Sequence, residues 1–206
     1  MLDKILTDFL FLWATIDPIG TLAIFASLTA AATGAERRRI ATKAILYSAI
    51  ILISSIVVGQ LVLTGLGIQL ISLQVAGGII LLIFGLQMVF GATSKLVSGS
   101  PEEGHDVAVF PLAVPSIASP GAIMAVILLT DNQTYSLPQQ GLTTLVVGAV
   151  LGITWLLMMA AGRVHKIIGD NGAAILVRIM GMILVALSVE LIMDALGIAA
   201  WITGAP

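Results

Sequence analysis

The sequence predicts an all-α membrane protein with six transmembrane helices, arranged as two inverted repeats of three helices. Three observations lead to this prediction. Of the 206 residues, 59% are hydrophobic and only 10% are charged, whereas a soluble domain carries about 25% charged residues. The apolar stretches reach the roughly 20 residues that a helix needs to cross a bilayer. Two proline-containing breaks lie about half a chain apart inside such stretches.

Charged residues and helix breakers divide the chain into six apolar segments. The apolar runs are nearly continuous and do not alternate with a period of two, which favours helices over the strands of a barrel. The first segment is long for a single crossing, as expected for a helix that is interrupted by a non-helical stretch. The predicted spans are 5–33, 43–65, 70–93, 108–130, 140–162 and 175–201.

The basic residues predict the orientation. Of the nine Lys and Arg residues, all except Lys4 fall between spans one and two, three and four, or five and six, or at the start of span six. Loops rich in Lys and Arg stay in the cytoplasm. We therefore expect a multi-pass protein of the plasma (inner) membrane with both termini on the extracytoplasmic side.

The two halves of the chain show a weak internal similarity. Residues 78–81 align with 181–184 at an offset of 103, and Pro18 and Pro120 are 102 residues apart. Because three is an odd number of spans, the second half must enter the membrane from the opposite side. Any homology between the halves is therefore that of an inverted repeat, a common architecture of transporters.

A single transmembrane domain is expected, with one repeat at about 1–97 and the other at about 107–206. The polar segment at about 98–106 is predicted to be a flexible cytoplasmic linker. Its acidic residues and one histidine do not have the spacing of a defined metal site, so no metal is predicted. These residues are Glu102, Glu103, His105 and Asp106.

The two proline breaks are costly features in apolar sequence. Proline removes a backbone donor, and a carboxylate near the bilayer centre costs roughly 2.5–3.5 kcal/mol. Asp17 and Ser119 each precede a proline, where an N-cap would sit with proline at the first helical position. The exposed N–H groups of a restarting half-helix suit a bound carboxylate. We expect the half-helices to restart near Gly20-Thr21 and Gly121-Ala122.

The candidate substrate-binding residues lie at these two breaks. Two interpretations of Asp17 stay open: a buried N-cap without a ligand, or a counter-charge for a substrate ammonium or a proton-coupling group. Ser116 and Ser119 either bond back to a helix carbonyl or contact a ligand. The full candidate set is Thr15, Asp17, Pro18, Ile19, Gly20, Thr21, Ser116, Ile117, Ala118, Ser119, Gly121 and Ala122.

Three motifs carry a family resemblance over essentially the whole chain. They are Asp17-Pro18-Ile19-Gly20, Glu36-Arg37-Arg38, and Pro111-Leu112-Ala113-Val114-Pro115 continuing to Ser119-Pro120-Gly121-Ala122. In these motifs, in length and in span number, the chain resembles the MarC/SnatA family. That family belongs with the LysE-like transporters, and its characterised archaeal members look like cation-coupled transporters of small neutral amino acids. The resemblance implies substrate binding between the broken first and fourth spans.

The expected function is secondary transport of glycine- or alanine-like amino acids by alternating access, coupled to H⁺ or Na⁺ and without a cofactor. The alternatives are an exporter of drugs or other metabolites and a membrane protein that does not transport; an oligomer is possible. An enzyme is not expected, because there are no cysteines, the only histidines are His105 and His165 in predicted loops, and no hydrolase or metalloprotease motif occurs. The net charge of -2 gives no reason to expect nucleic-acid binding.

Overall fold

A computed structural model describes residues 1–91 and 106–198 of the chain, without the side chains at 163–171 and 173. Most of the predicted linker, with its histidine, and the end of the sixth predicted span lie outside the described residues. The described elements are all helical: α1 (Leu2–Ile16), α2 (Pro18–Leu28), α3 (Gly34–Leu66), α4 (Leu70–Phe90), α5 (Ala108–Ile117), α6 (Pro120–Leu129) and α7 (Leu137–Ala195).

These helices provide up to six membrane crossings. Five stretches are long and apolar enough to span a bilayer: Leu2–Leu28, Gly34–Leu66, Leu70–Phe90, Leu137–Gly162 and Ala174–Ala195. The sixth is the bent pair α5 and α6, whose axes meet at 52°. The predicted all-α architecture with six spans is confirmed, and both predicted proline breaks are present.

The first and fourth spans are broken by different means. A single residue, Asp17, separates α1 from α2 and adopts a left-handed conformation with φ 50° and ψ 69°. Two residues, Ala118 and Ser119, separate α5 from α6. Both half-helices restart at the proline itself, two residues before the predicted Gly20 and one before Gly121, because the fixed φ of proline suits the first helical position.

The two broken spans run antiparallel. At one face of the bundle the Lys4 ammonium approaches the carbonyl oxygen of Leu129, the last residue of α6 (3.4 Å). At the other face Lys43 forms an ion pair with Asp106, just before α5 (2.7 Å). We call these the Lys4 face and the Arg37 face, the latter after Arg37, which lies at the start of α3. Which face meets the cytoplasm stays a prediction.

Matching helix starts follow the two broken spans. Thr33 begins α3 with a capping box to Glu36, and Ser136 begins α7 with a capping box to Gln139, 103 residues later. The order broken span, capped helix, final helix is therefore the same in both halves. The repeat boundaries themselves stay a prediction.

The α3 helix starts nine residues before the predicted second span. The Glu36 carboxylate accepts a hydrogen bond from the Thr33 N–H (2.8 Å), and the Thr33 hydroxyl accepts one from the Glu36 N–H (3.3 Å). This capping box satisfies two donors at the helix start. The basic run predicted as a loop thus forms the first turns of α3, so the loop prediction was wrong.

The long helical stretch α7 covers the last two candidate spans, Leu137–Gly162 and Ala174–Ala195. The contacts of these two parts show that the chain reverses its direction between them. In the first stretch Thr143 lies beside Asp8 at the Lys4 face, and Gly162 lies beside Arg37 at the other face. In the second stretch Gly181 packs near the end of α4, whereas Ile192 packs on Gly78, nearer the start of α4. The chain therefore returns toward the Lys4 face.

Glycines set the distance between α4 and the last span. A Cβ on Gly85 would lie 2.9 Å from the Gly181 oxygen, and a Cβ on Gly181 would lie 2.8 Å from the Gly85 oxygen. Small residues permit such close approach of membrane helices. Gly148 and Gly152 have the spacing of a small-residue interface, but nothing described lies within 4 Å of a Cβ at either position.

We predict opposite effects of alanine at these two kinds of glycine. Gly85→Ala should destabilise the fold, because the backbone of the last span cannot yield to the methyl group. Gly148→Ala should stabilise it by up to about 1 kcal/mol, the helix-propensity difference at an open position. Thermal unfolding in detergent measures both variants, and equal stability of the two would refute the packing role of Gly85.

Candidate functional site

Asp17 caps two helices at once. Its backbone N–H donates to the carbonyl of Trp13 at the end of α1 (3.1 Å), and its carboxylate Oδ1 accepts from the N–H of Gly20 in α2 (2.9 Å). Asn and Asp side chains are among the few that tolerate the left-handed region. The residue is half-buried, and Oδ2 has no hydrogen-bond partner in the described part of the chain. One carboxylate oxygen is therefore available to another group.

Ser119 caps α6 in an equivalent position. Its Oγ accepts from the N–H of Ala122 (3.0 Å) and donates to the carbonyl oxygen of Thr15 (3.0 Å). That carbonyl belongs to the last turn of α1, where no backbone N–H reaches it. Ser119 thus satisfies a freed group of the other break and starts its own half-helix.

A second contact joins the breaks. The Thr21 and Ser116 hydroxyl oxygens lie 3.0 Å apart, and either could donate. Thr21 is almost fully buried, whereas Ser116 is half-buried. The two breaks, almost a hundred residues apart in sequence, are therefore in direct contact through two pairs of polar groups.

Backbone donors remain at the start of each half-helix. Asp17 takes the N–H of Gly20 and Ser119 takes that of Ala122, while the prolines contribute no donor. The N–H groups of Ile19 and Gly121 have no partner inside their own half-helix, because each is the second residue of its helix. A helix N-terminus with unoccupied N–H groups attracts a negative charge.

The remaining candidate residues fall into two groups. Ile117, Ala118 and Ala122 pack into the main hydrophobic core and have almost no exposed surface. Gly20 and Gly121 are closely covered, because a Cβ would meet the Asp17 carboxylate at the first and the Leu81 side chain at the second. Whether each of them contacts a ligand stays a prediction.

Other polar side chains support the broken spans and were not anticipated. Arg37 donates to the carbonyls of Thr29 and Ala30 at the end of α2 (3.0 and 3.2 Å). Gln60 of α3 donates to the carbonyl of Ile127 near the end of α6 (2.9 Å). A glutamine in an apolar span indicates a hydrogen-bond partner on another helix, since an unsatisfied amide there is costly.

Ser48 is a further unanticipated residue next to the site. It is fully buried in α3 and lies 3.5 Å from the carbonyl oxygen of Ala113 in α5. That carbonyl also accepts from the N–H of Ala118 (2.8 Å), a wide turn of the π type. Ser48 therefore braces the irregular segment that leads into the second break. No metal-like cluster of three or more acidic or histidine side chains lies among the described residues.

Comparison with known proteins identifies the family of this chain. The family model described as "MarC family integral membrane protein" matches residues 2–201. The chain belongs to the MarC family. The family resemblance that was inferred from the motifs is thereby confirmed, and the protein is an integral membrane protein.

MarC relatives from archaea and bacteria match nearly end to end. The UPF0056 membrane protein MJ1677 of Methanocaldococcus jannaschii is 32% identical over 90% of this chain and 92% of its own length. A UPF0056 membrane protein of Archaeoglobus fulgidus is 34% identical over 92% of this chain and 90% of its own length. The UPF0056 inner membrane protein YhgN of Escherichia coli is 28% identical over 98% of this chain and 100% of its own length. No solved structure matches the chain.

We predict that Ser119→Ala destabilises this MarC protein by about 2–3 kcal/mol. The change removes a helix cap and leaves the buried Thr15 carbonyl without a donor. Ser119→Thr retains the hydroxyl and should recover most of the loss. Denaturant or thermal unfolding in detergent measures these differences.

Ser54→Ala is the matched control for this variant. The Ser54 hydroxyl is exposed and bonds only to a carbonyl of its own helix, that of Ile51 (2.9 Å). Its removal should change the free energy of unfolding by no more than about 0.5 kcal/mol. Ser119→Ala behaving like Ser54→Ala would show that the two breaks do not depend on the Ser119 hydroxyl.

Proposed function

We propose that this protein is a secondary transporter of small neutral amino acids, which it binds between the two broken spans. The observation that carries the proposal is that the two breaks bring together the positive N-terminal ends of two half-helices and the negative carboxylate of Asp17. Two backbone N–H groups that have no partner inside their own half-helix, those of Ile19 and Gly121, accompany the half-buried carboxylate of Asp17. A zwitterion whose carboxylate and ammonium are attached to the same carbon atom, such as an α-amino acid, matches this arrangement.

The substrate carboxylate would accept hydrogen bonds from the N–H groups of Ile19 and Gly121. Each stands at the second position of a half-helix, where the positive end of the helix dipole adds to the attraction. The hydroxyls of Thr21 and Ser116, 3.0 Å apart, offer further donors once they exchange their mutual bond for the ligand.

The substrate ammonium would pair with Asp17. Its Oδ1 is engaged by Gly20 (2.9 Å), so Oδ2 would accept from the ligand. A hydrogen bond to a charged group contributes about 1.5–3 kcal/mol. The same carboxylate could also take the coupling cation, H⁺ or Na⁺, and this would link the ion to substrate binding.

The close approach of the breaks favours a small substrate. The hydroxyl contact and the Ser119–Thr15 bond leave the two spans within hydrogen-bond distance. The small residues next to these positions in sequence, Gly20, Ala118 and Ala122, are buried. Glycine and alanine would need little widening of this space, whereas a large side chain would have to separate the spans.

The proposed setting is the plasma (inner) membrane, with the Arg37 face in the cytoplasm and both termini outside. The printed name of the Escherichia coli relative, an inner membrane protein, supports the location. The basic side chains of Arg37 and Lys43 at one face support the orientation by the positive-inside rule. Rocking of one half against the other would expose the site alternately to the two faces.

We predict that glycine or alanine raises the melting temperature of the purified protein in a concentration-dependent manner. A ligand that binds only the folded state adds about 2.7 kcal/mol of stability at a concentration of 100 Kd. Bulky neutral amino acids such as tryptophan should have no effect. A screen without any shift for small amino acids would contradict the proposed ligand class.

We also predict that Asp17→Asn reduces glycine or alanine uptake into proteoliposomes by about tenfold or more. Asparagine keeps the cap acceptor and tolerates the left-handed conformation, so the fold should persist. Only the charge is lost, and 1.4 kcal/mol of lost binding corresponds to a factor of ten. Initial rates across a range of substrate concentrations provide the measurement.

Asp106→Asn is the control for this experiment. It removes a carboxylate from the Arg37 face, where the Asp106 side chain is 41% exposed, and should leave uptake near the wild-type rate. Normal uptake by a folded Asp17→Asn protein would reduce Asp17 to a helix cap. The proposed site would then be wrong.

A further inference from the structure

A buried polar cluster lies at the Lys4 face, at the end of the second half-helix, α6. Asp8 of α1 is only 1% exposed. Its carboxylate accepts from the Lys4 ammonium (2.9 and 3.0 Å) and from the Thr143 hydroxyl of α7 (2.6 Å). We call these three residues the Lys4 cluster.

The Lys4 cluster also holds the end of α6. The Lys4 ammonium lies 3.4 Å from the carbonyl oxygen of Leu129, and the Thr143 hydroxyl lies 3.5 Å from the same oxygen. The ammonium further sits 3.8 Å above the ring of Tyr135, in the loop after α6. Four parts of the chain therefore meet on one ammonium and one carboxylate.

The position of this cluster relative to the site is informative. Leu129 ends the half-helix whose first residues are the Ser119 cap and the Gly121 amide. A helix of ten residues is about 15 Å long. The cluster thus lies about 15 Å from the site along α6, toward the Lys4 face, where α1, α6 and α7 come together.

The chemistry of the cluster suits a contact that opens and closes. A buried ion pair adds little net stability compared with apolar packing, because both charges lose their hydration. Once exposed to water, the same groups regain that hydration, so the free energies of closed and open arrangements remain close. An apolar seal of equal area would gain nothing on opening.

We propose that the Lys4 cluster is the gate between the site and the Lys4 face. It is closed in this structure, and separation of α1 from α6 and α7 opens it. The proposal rests on the proposed function, since the gate would admit or release the transported amino acid.

The Lys43–Asp106 pair offers a matched comparison. It also joins the two halves, at 2.7 Å, but its side chains are 38% and 41% exposed and it lies on the Arg37 face. An exposed pair of this kind contributes little and excludes no water. Its loss should therefore leave access from the Lys4 face unchanged.

Cysteine accessibility tests the gate directly, because the chain contains no cysteine. Ser116→Cys places a single half-buried thiol at the site. We would add Thr143→Val or Asp8→Asn and measure modification by a membrane-impermeant methanethiosulfonate, applied from each side of sealed vesicles of known orientation. The expected result is a several-fold faster modification from the Lys4 face only.

The control is Ser116→Cys with Lys43→Gln and Asp106→Asn, which should react from the Lys4 face at the rate of Ser116→Cys alone. Unchanged rates from that face in folded Thr143→Val and Asp8→Asn proteins would overturn the gate. Equal acceleration from both faces would also overturn it, because that result indicates general loosening. The assay needs no transport, so it distinguishes a wrong gate from a wrong substrate.

A locked variant tests the gate in the opposite direction, by holding it closed. In Asp8→Cys/Thr143→Cys the two thiols replace groups 2.6 Å apart, and mercuric ion should bridge them. Bridging should abolish glycine or alanine uptake, and a dithiol chelator should restore it. Full uptake by the bridged protein would overturn the proposal.

Discussion

The constraint on which this structure depends is that no backbone polar group can be left unpaired in an apolar surrounding. Two interrupted helices free carbonyls and amides that water would normally satisfy. Here the residues at each break form hydrogen bonds with these freed groups, either in their own half-helix or at the other break. The Ser119 hydroxyl, for example, donates to the Thr15 carbonyl (3.0 Å). The amides of Ile19 and Gly121, which have no partner inside their own half-helices, are the donors that the proposed ligand would use.

The same constraint acts at the far ends of the half-helices. The last carbonyls of α2 receive the guanidinium of Arg37. Those of α6 receive the ammonium of Lys4 and the amide of Gln60. Because cations also complement the negative end of a helix dipole, each half-helix is fastened at both ends.

The sequence predicted the class of fold, the number of spans and both breaks, since these follow from hydropathy and proline chemistry. It also placed Asp17 and Ser119 at cap positions. It did not predict the contacts across the bundle, because periodicity carries no information about partners distant in sequence. Asp8 illustrates the difference: it lies inside the first predicted span, four residues after Lys4, but nothing in the sequence connects it with the fifth span. Only the fold reveals Thr143 as its second partner.

Asp17 and Gly20 constrain each other in a way that explains why the first break has this composition. A left-handed φ favours glycine, asparagine or aspartate, and of these only aspartate brings a charge as well as a cap. Its carboxylate then occupies the space that a Cβ at position 20 would need, so a side chain at position 20 would displace the cap. The second break uses Ser119 in extended conformation and carries no charge. In both halves the cap side chain accepts from the N–H three residues later, but only the first cap carries a charge, and this difference would orient the dipolar ligand proposed above.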